Sequence, residues 1–316
     1  MNRNQLIAEL AAQLRVSPAN IERVIASAHR RYKRYTLIKR TGGSREIFHP
    51  TPELKAIQRW LIKNVFDQLP THPSVHAYEP NCSIARHAAA HRRSNFFLRM
   101  DFSDFFPSIS AQWVKNFLLE SIQAGLVDLD KDSVDSICRL VCRRGRLEVE
   151  SKLTIGSPSS PSISNRILYT FDSKLFEACH ERGVIYTRYA DDIYFSTREP
   201  DVLHEIEQIV TDLVRATVPE LSLNRKKTQR ASRKRRVLIT GLVITSDRKI
   251  SVGRDLKRSV RTQIHLWKQG NLPLEDIPRL RGLVSFIAGT EPEFLSSISR
   301  KYGAESIERL LNPAIN

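Results

Sequence analysis

Asp191 and Asp192 stand side by side between two apolar, β-prone runs, and no feature limits the fold of this chain more. The flanks are Gly183-Val184-Ile185-Tyr186-Thr187-Arg188 and Ile193-Tyr194-Phe195-Ser196-Thr197. That pattern predicts strand, tight turn, strand, with Tyr189-Ala190-Asp191-Asp192 at the tip. Side chains alternate faces along a strand, and a turn breaks the alternation, so two acids at a tip can lean toward one point. Adjacent carboxylates repel unless a positive group lies between them, and a divalent cation is the simplest such group. The plain alternative is a solvated loop pair, so the doublet gains weight only if a third acid completes it.

Asp101 is that acid. Asn95-Phe96-Phe97-Leu98-Arg99-Met100 reads as a strand running straight into it. A carboxylate at the C-terminal end of a buried strand is poorly solvated and points to a sheet edge where ligands bind. A helix-cap or loop role is the alternative, and Asp104 suits it better. Two-metal phosphoryl transfer needs three or four oxygen ligands around ions about 3.5–4 Å apart. Asp101, Asp191 and Asp192 supply that number. Hard oxygen ligands favour two Mg²⁺ ions, with Mn²⁺ as a substitute.

Three segments in order now resemble polymerase motifs A, B and C of reverse transcriptases: Asp101 with Phe106 five residues on, Gly156-Ser157-Pro158-Ser159-Ser160-Pro161, and Tyr189-Ala190-Asp191-Asp192. Ser44-Arg45-Glu46-Ile47-Phe48-His49-Pro50 followed by Leu54-Lys55-Ala56-Ile57-Gln58-Arg59-Trp60 resembles the first fingers motif of the bacterial enzymes. Ile239-Thr240-Gly241 resembles the Val-Thr-Gly signature of the retron branch. The resemblance covers roughly residues 30–305. Three departures stand out. Thr154-Ile155-Gly156 replaces Pro-Gln-Gly, which puts nucleotide contacts at Ile155 in doubt. His87-Ala88-Ala89-Ala90-His91 keeps only the Ala and final His of Asn-Ala-x-x-His. Ile239 replaces Val.

The resemblance implies roles for further residues. Asp101 and Asp191 bridge the metals and Asp192 supports the one beside the primer end, with the Phe102 carbonyl as a further ligand. Phe106 screens the sugar, Arg45 grips the triphosphate (Lys39 and Arg40 are weaker candidates), and Lys227 matches motif D as proton donor to the leaving pyrophosphate. Gly156 and Ser157 line the nucleotide pocket. The loop they form also opens a helix, so its residues can equally be capping chemistry.

The chain of 316 residues carries a net charge of +16. So basic a protein binds a polyanion. Eight of the twelve residues from 225 to 236 are Lys or Arg. Lys226, Arg233, Lys234 and Arg235 are expected on phosphates. Arg254, Lys257, Arg258 and Arg261 form a second basic stretch, on a helix with Leu256, Val260 and Ile264 inward. His91 is expected at the RNA or in packing, beside His87. Four cysteines in so long a chain read as reduced, mostly buried thiols, and no zinc pattern follows Cys138 and Cys142.

Helices are expected at 54–69, 111–123, 133–143, 160–180 and 202–218, and strands at 32–39, 45–48, 237–244 and 250–252. Helices at 255–268, 274–289 and 293–301 follow. This is an α+β pattern. With the resemblance it implies a right-hand polymerase: fingers and palm of antiparallel sheet plus helices over 1–252, and a helical thumb over 253–316. No apolar run reaches the roughly 20 residues of a membrane span, so no membrane partner and a cytoplasmic location are expected.

What the retron resemblance implies is an RNA-directed DNA polymerase that takes dNTP substrates. It copies part of a cognate non-coding RNA from a 2′-hydroxyl primer into branched, RNA-linked single-stranded DNA (msDNA). It works with a separate effector protein in anti-phage defence. No segment is left for a ribonuclease H, so host ribonuclease H would remove the template. A group II intron-like enzyme and a non-catalytic RNA-binding scaffold are the alternatives.

Overall fold

A computed structural model describes residues 1–38, 42–145 and 148–312. Lys39 and Arg40 lie outside the described residues. Helices α1 (Arg3–Leu14) and α2 (Pro18–Ser27) open the chain. Asn2 and Ser17 cap them by accepting from the Gln5 and Asn20 amides, and Pro18 fills the first-turn position. Strands β1 (Tyr32–Ile38) and β2 (Ser44–Pro50) pair antiparallel from Tyr32 opposite Pro50 to Ile38 opposite Ser44. Helix α3 (Pro52–Asn64) buries Leu54, Ile57 and Leu61. The backbone leaves helical geometry at Val65 (φ −124°, ψ −62°), so the helix expected to reach residue 69 ends five residues earlier and a 3₁₀ turn follows.

Helix α4 (Ile84–His91), strand β3 (Phe96–Ser103), the single turn α5 (Phe105–Ser108), α6 (Ala111–Gln123) and α7 (Lys131–Val141) come next. Strand β3 runs on through Asp101, which therefore sits inside the strand rather than just past it. The long helix expected over 160–180 is two, α8 (Ser159–Ile167) and α9 (Tyr169–His180), broken at Leu168 (φ −83°, ψ 4°). At the break the Asn165 carbonyl faces the Arg188 guanidinium, 3.5 Å away.

Strands β4 (Ile185–Tyr189) and β5 (Asp192–Thr197), helix α10 (Val202–Thr217), and strands β6 (Ser222–Leu223) and β7 (Gln229–Ser232) follow. The strand expected over 237–244 is a hairpin of β8 (Val237–Ile239) and β9 (Leu242–Ile244). Thr240 (φ 45°) and Gly241 (φ 84°) both take positive φ, as a two-residue hairpin turn requires. β10 (Ile250–Ser251) adds to β9. Helices α11 (Arg254–Lys268), α12 (Ile277–Thr290), α13 (Pro292–Tyr302) and an unforeseen α14 (Ala304–Leu311) close the chain.

Two compact units result. The first comprises residues 1–81, 98–195 and 201–229. Its sheet runs β4-β5-β3-β6, and Leu98, Met100, Phe102, Phe171, Leu175, Ile193 and Phe195 are buried around it. Helix α7 packs on α1, α2 and α3. The second unit comprises residues 82–97, 196–200 and 230–316. Helix α4 lies on the β8–β10 sheet, and α11–α14 pack through Val260, Ile264, Leu280, Val284, Ile287, Phe294 and Ile298. Cys138, Cys142 and Cys179 are buried free thiols. Among the described residues no helix is long and apolar enough to cross a membrane.

Candidate active site

The Asp191-Asp192 turn is built on a buried ionic network. Ala190 takes φ 58°, and β5 begins at Asp192. Beneath the turn, Arg188 and Asp172 are both fully buried. Arg188 Nε and Nη2 donate to Asp172 Oδ1 and Oδ2 at 2.9 and 2.6 Å. Its Nη1 donates to Asn165 Oδ1 and to the Ala190 carbonyl, each at 3.2 Å. The Tyr186 hydroxyl donates to Asp172 at 2.6 Å. Burial first, then the Asp172 charge, holds that hydroxyl well above its ordinary pKa. A planar fork against a carboxylate fixes orientation as well as charge, and stripping one partner from such a pair costs about 3–5 kcal/mol. Asn165 also donates to the Ala77 carbonyl, and Arg166 bridges Asp67 and Glu79. The turn is thus tied to α8, α9 and the 66–81 segment. Sequence reading missed all of this. The signal was a charged residue at an inward strand position, Arg188, and another on the buried helix face that holds Leu168, Leu175 and Cys179.

Strand pairing brings Asp101 to the turn: the Phe102 amide donates to the Asp191 carbonyl at 3.0 Å. The Asn224 amide donates to the Asp101 carbonyl at 2.7 Å, which sets the segment carrying Lys227 alongside. Asp101 is 2% exposed, and Lys227 Nζ donates to its Oδ1 at 2.7 Å. Arg99, two residues before Asp101, grips Asp192 through Nε at 3.0 Å and Nη2 at 2.8 and 2.9 Å. Among the described residues Asp191 has no ion-pair partner. Burial raises its pKa and the Asp101 charge adds to the rise, against Lys227 and Arg45. Burial pushes Asp192 up to about 6 in spite of Arg99.

One buried and two half-buried carboxylates therefore feel one another's charge, with two cations beside them. Hard oxygens short of counter-charge are what a divalent cation binds, so the donor set fits the expected ion. A ready-made nest is not present: among the described residues no three acidic, His or Cys side chains are grouped to hold a metal. Asp101 is turned to Lys227 and Asp192 to Arg99, contacts that the sequence reading did not include.

Next to Asp101, the Phe102 ring is buried and stacks on Phe105 at 5.8 Å between centroids. Phe105 is core and Phe106 is half-buried, so of the two rings only Phe106 is open to a ligand. Gly156 has φ 107°, and a Cβ there would lie 2.8 Å from both Ile47 Cγ2 and the Phe48 carbonyl. Its loop is pinned to β2 by the Phe48 amide on the Ile155 carbonyl at 2.8 Å. The Ser157 hydroxyl turns inward to Thr154 Oγ1 at 2.9 Å, so it does not face a nucleotide as expected. Arg45 is exposed on β2, within electrostatic reach of Asp191. Tyr78, exposed with φ 64°, shares that field and was not foreseen.

Of the expected RNA contacts, Lys226, Lys234, Arg235, Arg254 and Arg258 are exposed. Arg233 donates to the Thr245 and Ser246 carbonyls at 3.2 and 2.8 Å. Lys257 pairs with Glu291 at 2.7 Å, and Arg261 sits 5.0 Å over the Phe294 ring. His91 is a correction: it is fully buried, 2.7 Å from the Ser196 hydroxyl, and its ring packs edge-on to His87. It serves packing, not a surface.

Residues 37–244 match the sequence family described as reverse transcriptase (RNA-dependent DNA polymerase). The retron Ec83 reverse transcriptase of Escherichia coli is 34% identical over 283 residues, covering 88% of this chain and 89% of that one. The retron Ec86 reverse transcriptase of Escherichia coli is 30% identical over 314 residues, covering 95% and 92%. A solved telomerase of Candida albicans, in complex with a fragment of telomeric RNA, aligns with 89% of this chain and 59% of its own. Its TM-score is 0.48 and its identity 15%.

Proposed function

The chain belongs to the retron reverse transcriptases and is an RNA-directed DNA polymerase with an α+β right-hand polymerase fold; on that premise we propose that it copies part of a cognate structured non-coding RNA. Synthesis starts from a 2′-hydroxyl in that RNA and yields msDNA within an anti-phage system that includes a separate effector protein, and host ribonuclease H trims the template. Residues 1–252 act as fingers and palm, and 253–316 as thumb. The observation that carries the catalytic reading is the meeting of Asp101, buried on β3, with the Asp191-Asp192 turn through the Phe102–Asp191 backbone bond.

In this reading Asp101 and Asp191 would hold two Mg²⁺ ions, with Asp192 and the Phe102 carbonyl as further ligands, Asp192 on the primer side. When bound, the ions make the primer hydroxyl more acidic and offset charge on the triphosphate. The protein's own groups do the rest. Arg188 and Asp172 hold the turn. Arg99 fixes the Asp192 carboxylate. Arg45, a planar donor, grips triphosphate oxygens. Phe106 lies under the sugar and excludes a 2′-hydroxyl. Lys227, which donates to Asp101, gives a proton to the departing pyrophosphate in this reading. Gly156 lets a base pair approach the backbone. Lys226, Lys234, Arg235, Arg254 and Arg258 meet phosphates of the RNA or the duplex.

Expression of the gene with its upstream flanking DNA tests this. The expected product is a small, ribonuclease-resistant, branched single-stranded DNA, absent with Asp191→Asn. A wild-type protein that extends an annealed primer yet makes no branched product would reject the retron cycle while leaving the polymerase.

A further inference from the structure

Asp192 cannot offer both of its oxygens to a cation. A carboxylate has about four acceptor positions, two on each oxygen. Arg99 Nε and Nη2 fill both at Oδ1, at 3.0 and 2.8 Å, and Nη2 takes a third at Oδ2, at 2.9 Å. What remains is a single position on Oδ2. Asp101 is engaged more lightly, by one donation from Lys227 Nζ to its Oδ1.

The two basic side chains are also held differently. Arg99 leaves β3 on the face that carries Asp101, since residues two apart on a strand share a face. Strand β3 is hydrogen-bonded to β5, which begins at Asp192. The Arg99 guanidinium lies 5.7 Å from the centroid of the buried Tyr194 ring. A planar fork already matched to a carboxylate loses little freedom by staying there, and a ring beside it adds to the hold. The Lys227 side chain is 51% exposed and ends in an ammonium on a flexible stem. Rotation about that stem is enough to release Asp101. Releasing Asp192 would break three hydrogen bonds and a ring contact, and would strand a guanidinium that is only 35% exposed.

We propose that Arg99 stays on Asp192 when the site is loaded and is a positioning residue for metal binding. It confines Asp192 to one oxygen toward a divalent cation, and its fixed charge holds down the affinity for the ion that Asp192 helps to bind. An ion held less firmly exchanges more readily between successive additions. The proposal rests on the two-metal reading of Asp101, Asp191 and Asp192.

The test is a Mn²⁺ titration with template–primer and an unreactive dNTP present, the unbound ion being read by electron paramagnetic resonance. Wild-type protein is compared with Arg99→Gln, which removes the charge and keeps a polar side chain, and with Arg99→Lys, which keeps the charge on a flexible stem. The expected result is two classes of bound ion in the wild type, the weaker of them tightened about tenfold by Arg99→Gln and by a smaller factor by Arg99→Lys. In protein that already carries Asp192→Asn the tightening should vanish, as a double-mutant cycle requires of two groups that act through each other. An Arg99 that served structure alone would give the opposite sign, because a loosened Asp192 would bind the ion less well. Weaker or unchanged Mn²⁺ binding by Arg99→Gln would therefore overturn the proposal, as would a tightening that survives Asp192→Asn. Melting temperatures check folding, and if Arg99→Gln does not fold, weaker binding by Arg99→Lys decides against the proposal in the same way. Wild-type protein that holds no more Mn²⁺ than Asp191→Asn would reject the two-metal reading itself, and the role of Arg99 with it.

Discussion

Two hairpins of the first unit do opposite things with the same backbone. At β4–β5 the turn sits over a buried Arg188–Asp172 pair, a Tyr186 hydroxyl and the Asn165 amide, and neighbouring strands flank both sides of β5. At β1–β2 two strands pair only with each other, and Tyr35, Leu37 and Ile38 are 51, 55 and 86% exposed. A two-stranded ribbon alone is marginally stable in water. Carboxylates that repel must be held by fixed charges beneath them. The ribbon carries Arg45 exposed on β2, the residue proposed above to grip a triphosphate. The ribbon is anchored at its base, where Gln58 donates to the Tyr32 hydroxyl and the Phe48 amide meets the Gly156 loop.

The largest effect expected from breaking this contrast is at the turn. Asp172→Ala leaves Arg188 buried and unpaired, at about 3–5 kcal/mol. The melting temperature should then fall by roughly 10 °C, and differential scanning calorimetry reads it. A fall of only a degree or two would mean the pair is dispensable. At the junction of the two regions, Gly156→Ala forces a Cβ onto the Phe48 carbonyl at positive φ, for a loss on the order of 1–3 kcal/mol. Gly42→Ala, also at positive φ but with nothing within 4 Å, should cost about 1 kcal/mol or less. Urea titration separates the two, and equal losses would remove the close-approach argument. Phe106→Ala should leave stability nearly untouched yet raise ribonucleotide incorporation roughly tenfold in single-nucleotide extension. Unchanged sugar preference would return that ring to packing. Smallest of all, Ile38→Ser on the bare ribbon should shift stability by no more than about 0.5 kcal/mol. A larger loss would show that the ribbon's apolar face is covered in solution.

The sequence displayed the contacts made by local pattern and hid those made by distant charge. The Asp191-Asp192 turn and the strand leading to Asp101 were legible because each is written in a few adjacent residues. Arg99 was read as part of an apolar strand, and nothing near it announced Asp192, 93 residues on. Arg188 and Asp172 were hidden in the same way. At the break at Leu168 the Asn165 carbonyl faces Arg188, a distant residue with no local sign in the helix sequence. The Thr240-Gly241 turn was masked by the β-prone residues on either side of it, although Gly241 marked it. Between the RNA and the packing expected for His91, packing holds, because a helix can turn its histidines inward as readily as outward, and here the Ser196 hydroxyl, which itself donates to Ser94, is the buried partner.

Mn²⁺ binding followed by electron paramagnetic resonance, with template–primer and an unreactive dNTP present, tests the meeting of the three acids most directly. Wild-type protein should bind the ion, Asp101→Asn and Asp191→Asn should lose most of that binding while keeping the wild-type melting temperature, and Asp104→Asn, at an exposed cap, should keep it. Binding by Asp191→Asn that matches the wild type would contradict a metal-holding role for the turn.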